Sequence, residues 1–302
     1  MYPIIVFVYN KPDLTLQTLQ ALEDNFGAAE SDVFIFSDGA KEGNSASIEN
    51  VKKVRQVIRN KYAFRSCTII EAAVNQGLGN SVIAGVTQVL QDHDAVIVIE
   101  DDVLSSRQFL TYMNSQLELY KGDPRVFAIG SWNYFFPESK SNFFMRFPDT
   151  IGWAVYRRSW RFFEPNSQKL ISAIRSKPGG VEAFNVGGAY DYFNMLEQQN
   201  KRTVDSWGIR WYASLFLNNA LCLFPRVSLT KHVGFGENAT HCKEPEDIYR
   251  QLFEVQNNPA QLTKVTVKES GAGIQAYHRF YGLRLKLISR VINRVSRILA
   301  LS

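Results

Sequence analysis

Three consecutive acidic residues, Glu100, Asp101 and Asp102, carry the strongest chemical signal in the sequence, because they directly follow the apolar run over residues 96–99. The simpler interpretation is a solvated turn before a helix that begins near Ser105. Adjacent carboxylates repel one another unless a positive charge neutralises them. Because carboxylate oxygens suit Mg²⁺ and Mn²⁺, we predict a divalent-cation site here.

Polar groups follow two other predicted strands at the same kind of position. Lys11 comes shortly after the apolar run over residues 4–8, where it could pair with a diphosphate. Asp38 and Gly39 follow residues 33–36, a pattern that suits a contact with a base or ribose. Ligands of parallel sheets bind at the carboxyl ends of the strands, so these side chains are predicted to converge on one site.

The glycine-rich loop over residues 75–80 opens a predicted helix, and such a loop could cradle a phosphate. It matches neither a Walker loop nor GxGxxG. We therefore favour a tight turn packed under a nucleotide over direct binding.

Strand and helix patterns alternate over the first 130 residues and must position these groups. Short apolar runs predict strands at residues 4–8, 33–36, 67–71 and 95–99. Apolar stripes predict helices between them, the first of them capped by Asp13 and another carrying Val82, Val86 and Val89. The alternation predicts an α/β fold with a mostly parallel, doubly wound sheet.

Residues 131–271 are rich in aromatic residues and in Pro and Gly breaks, which predicts a smaller lobe folded onto the first half. We divide the chain into a nucleotide-binding half (1–130), an acceptor-side lobe (131–271) and a basic tail (272–302). The three scattered cysteines predict neither a zinc site nor a disulfide framework and favour a reducing compartment. The first residues lack the basic region and the long apolar run that are typical of a signal peptide. We therefore predict that their short apolar run forms a buried strand.

The positive charge of the chain belongs to its tail. The net charge is +5, but five Arg and one Lys lie from Arg279 onward without an acid, which leaves −1 for the remainder. This distribution argues against a broad nucleic-acid-binding face. From Leu287 to Leu299, apolar residues recur on one helical face, opposite Lys286 and three Arg residues. The pattern predicts peripheral binding to the cytoplasmic face of a membrane, with packing on the body or on another subunit as the alternative.

The stretch over residues 96–133, which begins VIVIEDD and ends GSWN, resembles the metal-binding core of the N-acetylglucosaminyltransferase I family and its bacterial relatives. Gly152-Trp153, residues 204–207, residues 223–228 and residues 234–241 are similar to further segments of that family, in the same order. Ser206 stands where the family usually has a second acid, and Lys11 where Arg is usual. An insertion lies between Pro165 and Asp205.

The resemblance implies a GT-A fold, a UDP-sugar donor such as UDP-N-acetylglucosamine, Mn²⁺ (or Mg²⁺), and inversion at the anomeric carbon. It assigns the metal to Asp102, with Glu100 and Asp101 near the sugar and ribose of the donor. It places Asp38 on the uracil, Lys11 on the diphosphate and Thr240 on a phosphate oxygen.

The resemblance assigns the general base to Asp205. We expect its carboxylate to lie partly buried beside Trp207 and Trp211, where burial would raise its proton affinity. The alternative for Asp205 is a helix cap, and Asp191 is the reserve candidate for the base.

The resulting hypothesis is a metal-dependent glycosyltransferase that acts on a glycan or lipid-linked acceptor, as in bacterial surface-polysaccharide assembly. Two alternatives stay open. A sugar nucleotidyltransferase has a related domain, but the first strand here lacks the glycine-rich loop that follows it in those enzymes. A non-catalytic glycan-binding or scaffold protein would leave the three acidic residues without a function.

Overall fold

The computed structural model describes residues 1–234 and 261–282, in which helices cover both faces of an eight-stranded sheet. The strands are β1 (Ile4–Val8), β2 (Asp32–Ser37), β3 (Ser66–Glu71), β4 (Ala95–Glu100), β5 (Val103–Ser105), β6 (Val126–Gly130), β7 (Phe143–Met145), β8 (Trp153–Tyr156), β9 (Leu221–Phe224) and β10 (Thr230–His232). The helices are α1 (Pro12–Glu23), α2 (Ser45–Val57), α3 (Leu78–Val89), α4 (Phe109–Tyr120), α5 (Arg157–Trp160), α6 (Ser167–Ser176), α7 (Gly180–Phe184), α8 (Tyr192–Asn200) and α9 (Trp207–Leu217). A 3₁₀ turn covers Ala28–Glu30, and residues 271–282 are helical.

The large sheet has the strand order β3-β2-β1-β4-β8-β6-β9-β7. β1 pairs in parallel with β2 and β4, and β2 with β3, so the first four strands share one direction. β8 is antiparallel to both of its neighbours, and β7 is antiparallel to β9. β6 pairs in parallel with β9, so six of the eight strands point the same way, and the predicted α/β fold with a mostly parallel sheet is confirmed.

Both faces of the sheet are buried. Ile4, Val6 and Val8 lie in one apolar cluster with residues of α1 and α4. Ile5 and Phe7 point the other way, into a second cluster with residues of α3 and α9. Burial on both sides explains why β1 reads as an uninterrupted apolar run instead of an alternating pattern.

Two sequence predictions about local structure are wrong. No helix begins near Ser105, because residues Val103–Ser105 form β5, which pairs with the distant β10, and α4 begins only at Phe109. Asp13 does not cap α1. Lys11 occupies the N-cap position and Pro12 follows inside the helix, where its fixed φ and missing N–H suit the first turn.

The aromatic second half of the chain shares the sheet with the first. β8 and β9 flank β6, and β7 follows β9 at the edge, so these strands extend the sheet beyond β4. The division of the chain at residues 130 and 271 stays a prediction, and the basic stripe that starts at residue 286 lies outside the described residues. Over the described ranges, we find no helix with the length and hydrophobicity needed to cross a bilayer.

Candidate active site

A cleft of about 420 Å³ lies at the carboxyl ends of β1, β2 and β4. These strands are neighbours in the sheet, so the segments that follow them meet at one edge. The cleft brings together six residues predicted to act at the site, namely Lys11, Asp38, Glu100, Asp101, Asp102 and Asp205. Thr240, the seventh, lies outside the described residues.

Asp102 is the most tightly held of the three adjacent acids. Its Oδ2 atom lies 2.7 Å from Nζ of Lys11, and its Oδ1 atom lies 3.4 Å from Nε2 of His232. Asp101 accepts a hydrogen bond from the backbone N–H of Tyr9, at 2.9 Å from Oδ2. The segment after β1 therefore contacts both aspartates, through a charge at Lys11 and a backbone donor at Tyr9.

His232 reaches Asp102 because β10 pairs antiparallel with β5, which places His232 opposite Val103. The backbone N–H of Val233 then donates to the carbonyl oxygen of Asp102 at 2.8 Å. A Cβ atom on Gly234 would lie 2.1 Å from Oδ2 of Asp102, so only glycine lets the chain pass this close to the carboxylate.

The three carboxylates titrate differently because their surroundings differ. Burial, together with the charges of Asp102 and Asp101, raises the pKa of Glu100. Burial and the charge of Asp102 raise the pKa of Asp101 to about 7. Burial alone would raise the pKa of Asp102 as well, but its contacts with His232 and Lys11 outweigh that effect and lower the pKa. Asp102 is thus the member of the cluster that is held ionised.

The side chains that could ligate a metal at this site fit a divalent ion that a nucleotide helps to bind. Among the described residues, no group of three or more His, Cys, Asp or Glu side chains is arranged to ligate a metal. However, the carboxylate of Asp102 makes one contact with Nζ of Lys11 and one with Nε2 of His232, and a carboxylate has about four lone-pair sites, so it retains acceptor capacity for an ion. Mg²⁺ and similar ions are often held by one or two carboxylates plus substrate phosphates. Asp102 suits that arrangement, in which the phosphates complete the coordination.

Asp38 fixes the glycine-rich loop against the cleft. Its Oδ1 atom accepts from the backbone N–H groups of Gly39 and Gln76, both at 2.8 Å. Its Oδ2 atom accepts from the N–H of Gly77 and from Nδ2 of Asn75, both at 3.0 Å. These four bonds match the acceptor capacity of a carboxylate, so here Asp38 holds the loop, and its contact with a base stays a prediction.

The surroundings of Asp205 differ from the prediction. Its side chain is 60% exposed, whereas Trp207 and Trp211 are buried in the core. The reason is that α9 begins after Asp205, with Ser206 as its N-cap, so the two tryptophans follow the buried face of the helix. Asp205 therefore does not cap a helix, as the alternative interpretation had it. Asp191, the reserve candidate for the base, does cap one, because its side chain accepts a hydrogen bond at the start of α8.

The carboxylate of Asp205 lies over the start of α3. A Cβ atom on Gly79 would lie 2.8 Å from its Oδ1 atom, and one on Gly77 would lie 3.6 Å from its Oδ2 atom. Nη2 of Arg210, a residue that is only 9% exposed, lies 3.9 Å from Oδ1. Unpaired N–H groups and the helix dipole favour a negative charge at this end of a helix, so the start of α3 and the charge of Arg210 both provide a favourable electrostatic environment for this carboxylate.

Sequence reasoning missed Arg210, Tyr9 and the position of His232. Arg210 lies about one turn into α9, and its contact with Asp205 spans five residues, outside the i,i+3 and i,i+4 spacings that a helix brings together. Nothing local signals that His232 meets Asp102, because that contact depends on the long-range pairing of β5 with β10.

Comparisons with known proteins identify a family. The sequence profile of glycosyl transferase family 2 matches residues 4–184, more than half of the chain. A search of curated proteins gives no significant match.

Three solved structures illustrate the structural similarity. The mannosyltransferase PcManGT from Pyrobaculum calidifontis, in complex with GDP-Man and Mn²⁺, is 12% identical with a TM-score of 0.37, over 72% of this chain and 68% of that one. The galactosyltransferase LgtC, with donor and acceptor sugar analogues, is 12% identical with a TM-score of 0.39, over 74% and 73%. S. aureus TarS 1–349, in complex with UDP-GlcNAc, is 16% identical with a TM-score of 0.33, over 47% of this chain and only 39% of its own length. At these values, none of the three defines a donor or an acceptor for this chain.

Proposed function

We propose, from the premise that this chain belongs to glycosyl transferase family 2, that it moves a sugar from a UDP-sugar to a hydroxyl group with inversion and with the help of a divalent cation. That the protein is a glycosyltransferase follows from the family. The donor sugar, N-acetylglucosamine or a related hexose, is part of the proposal, as is the narrower relationship to the N-acetylglucosaminyltransferase I family. The observation that carries the proposal is the convergence of Glu100, Asp101 and Asp102 with Lys11 in one cleft, where Nζ of Lys11 lies 2.7 Å from Asp102.

The donor is proposed to lie across the ends of β1, β2 and β4. Lys11 places a positive charge 2.7 Å from Asp102, at the point where a diphosphate and a cation would meet. Glu100 and Asp101 lie beside them and are assigned to the sugar and ribose hydroxyls, which carboxylates can accept from. Asp38 is assigned to the base end of the donor, and Thr240 to a phosphate oxygen.

Asp102 is the residue that would hold Mn²⁺ or Mg²⁺, together with the phosphates of the donor. When bound, such an ion supplies positive charge to the departing diphosphate. Lys11 contributes to the same task with its own charge, and His232 restricts the position of the Asp102 carboxylate.

Asp205 is proposed as the general base. It lies in the same cleft as the acidic cluster and is exposed enough to meet an acceptor. It would take the proton of the acceptor hydroxyl while that oxygen bonds to the anomeric carbon and the bond to the diphosphate breaks. A single displacement of this kind inverts the configuration at that carbon.

The remaining parts of the proposal concern the acceptor. We assign residues 1–130 to the donor and residues 131–271 to a glycan or lipid-linked acceptor. The basic stripe from Lys286 to Arg297 is assigned to peripheral contact with the inner face of the cell membrane, because it combines an apolar face with four positive charges.

A donor screen tests the proposal. Purified protein should be incubated with UDP-, GDP- and ADP-sugars, with and without Mn²⁺, and release of free nucleotide should be measured. We expect slow hydrolysis of one or more UDP-sugars that stops when the metal is chelated. Hydrolysis confined to GDP-sugars, or hydrolysis that chelation does not change, would contradict the assignment of the donor or of the metal.

A further inference from the structure

A second cavity, of about 210 Å³, lies next to the cleft and is not used by the donor site as described. We call it the aromatic cavity. Its half-buried lining residues include Trp132, Tyr134, Thr150, Tyr192, Ser206 and Gly208. The floor includes Asp149, which is only 4% exposed.

The aromatic cavity adjoins the proposed base. Asp205 lines the cleft, and the next residue, Ser206, lines the aromatic cavity. The position of Ser206 is fixed because its Oγ atom caps α9 by accepting from the N–H of Ile209 at 3.2 Å. The cleft and the aromatic cavity are therefore lined by consecutive residues, immediately before α9.

The lining combines aromatic faces with fixed hydrogen-bonding groups. The rings of Trp132 and Tyr134 lie 4.4 Å apart, and both are partly accessible. Such rings bury the apolar C–H face of a sugar ring, while hydroxyl groups point to polar partners. Thr150 supplies a hydroxyl group to this lining, whereas the carboxylate of Asp149 is held in place by the backbone N–H groups of Ser131, Trp132 and Ile151, at 2.8, 2.8 and 2.9 Å.

Charge and size restrict what fits. Asp149 and Asp205 both lie close by and repel an anionic group such as a phosphate. The volume is below the range of about 300–1,000 Å³ that encloses a drug-sized ligand, so the cavity suits one ring and not an extended chain. We infer that the aromatic cavity is the acceptor site and binds a single uncharged sugar ring whose hydroxyl faces Asp205. This inference rests on the proposed function.

Gly208 offers a clean test. A Cβ atom there would lie 3.5 Å from Cγ2 of Thr150 and 3.9 Å from Oγ of Ser206, which are ordinary contact distances. Gly208→Ala therefore places a methyl group in the aromatic cavity without a clash, and Ala is the better helix former within α9. Gly122→Ala is the matched control, because a Cβ atom on Gly122 meets no other atom within 4 Å.

The experiment titrates methyl glycosides of glucose, galactose, mannose and N-acetylglucosamine into the full chain, observed by saturation-transfer NMR in the presence of UDP and Mn²⁺. We expect at least one glycoside to bind the wild type and the Gly122→Ala variant equally. Gly208→Ala should weaken that binding by about tenfold or more, since one added carbon in a fitted pocket has effects of this size. Its affinity for UDP should not change, because Gly208 does not line the cleft.

Two results would overturn the inference, namely that no glycoside binds the wild type, or that Gly208→Ala binds glycosides as well as the control does. Failure of the proposed function gives a different signal, because UDP itself would then not bind the wild type. The glycoside titration is also run without UDP, so it judges the aromatic cavity in either case.

Discussion

Gly79→Ala displaces the proposed base without changing its side chain. The added Cβ atom would lie 2.8 Å from Oδ1 of Asp205, whereas ordinary contacts begin at 3.4 Å. The difference requires a movement of roughly 0.6 Å. Gly79 lies inside α3, whose backbone is rigid, whereas the carboxylate of Asp205 is 60% exposed. The movement therefore falls on Asp205. The fold should be preserved, because Ala has the higher helix propensity.

The expected effect follows from the size of that movement. A misplacement of about 1 Å in a reacting group can slow an enzyme about 100-fold, so we expect sugar transfer to slow by about 10- to 100-fold. Affinity for UDP should stay within about twofold of the wild type. Transfer is measured by nucleotide release in the presence of a saturating acceptor, and UDP affinity by calorimetry.

Gly122→Ala serves as the control again, because its side chain points into open space. If Gly79→Ala turns over as fast as the wild type while Asp205→Asn loses most of its activity, then the contact between Asp205 and α3 does not position the base. A loss of UDP affinity in Gly79→Ala would instead mean that the start of α3 contacts the nucleotide.

Three further predictions concern the base, a buried acid and the tail. Asp205→Asn should lower turnover by about 10²–10⁴-fold with little change in UDP affinity; collapse of UDP binding would make the residue structural. Burial raises the pKa of Asp149 to about 6, although neighbouring backbone N–H groups oppose the shift, so the folded state binds this proton more tightly than the unfolded state, whose pKa is about 3.9. The free energy of unfolding of the wild type should therefore fall by about 2 kcal/mol relative to Asp149→Asn as the pH rises from about 4 to 6, and parallel denaturation curves would contradict this. A truncation after Gly282 should stay folded and lose binding to anionic liposomes at low salt; unfolding of that variant would place the tail in the core or in an oligomer interface.

The part of the fold formed by the first four strands of the chain was predictable because its signals are local. β1 and β4 are short apolar runs, and the stripe Val82, Val86 and Val89 faces the sheet as its helical spacing indicates. The convergence of Lys11, Asp38 and Asp102 follows from a general property of parallel sheets and needs no knowledge of distant contacts.

The rest depends on contacts between residues far apart in the chain. The strand at Val103–Ser105 exists only because β10 pairs with it, and the same pairing brings His232 to Asp102. The exposure of Asp205 depends on how α9 packs on the sheet, which a sequence of aromatic residues cannot reveal. The hydrogen bonds from Asp38 to the loop over residues 75–77 likewise join two segments about forty residues apart. Periodicity is judged over windows of about 11–18 residues, so it cannot reveal such a contact.

Asp102 is proposed to bind a divalent ion together with the diphosphate of a nucleotide. This role of Asp102 is tested most directly by measuring the Tm with UDP alone, Mn²⁺ alone and both together, in the wild type, in Asp102→Ala and in the exposed control Asp92→Ala. With UDP at 100 times its Kd and Mn²⁺ present, the wild type and the control should gain about 2.7 kcal/mol of stability. UDP alone or Mn²⁺ alone should shift the Tm of these two proteins little. The Tm of Asp102→Ala should shift little under all three conditions. An equal shift by UDP without metal, or an undiminished shift in a folded Asp102→Ala protein, would contradict the claim.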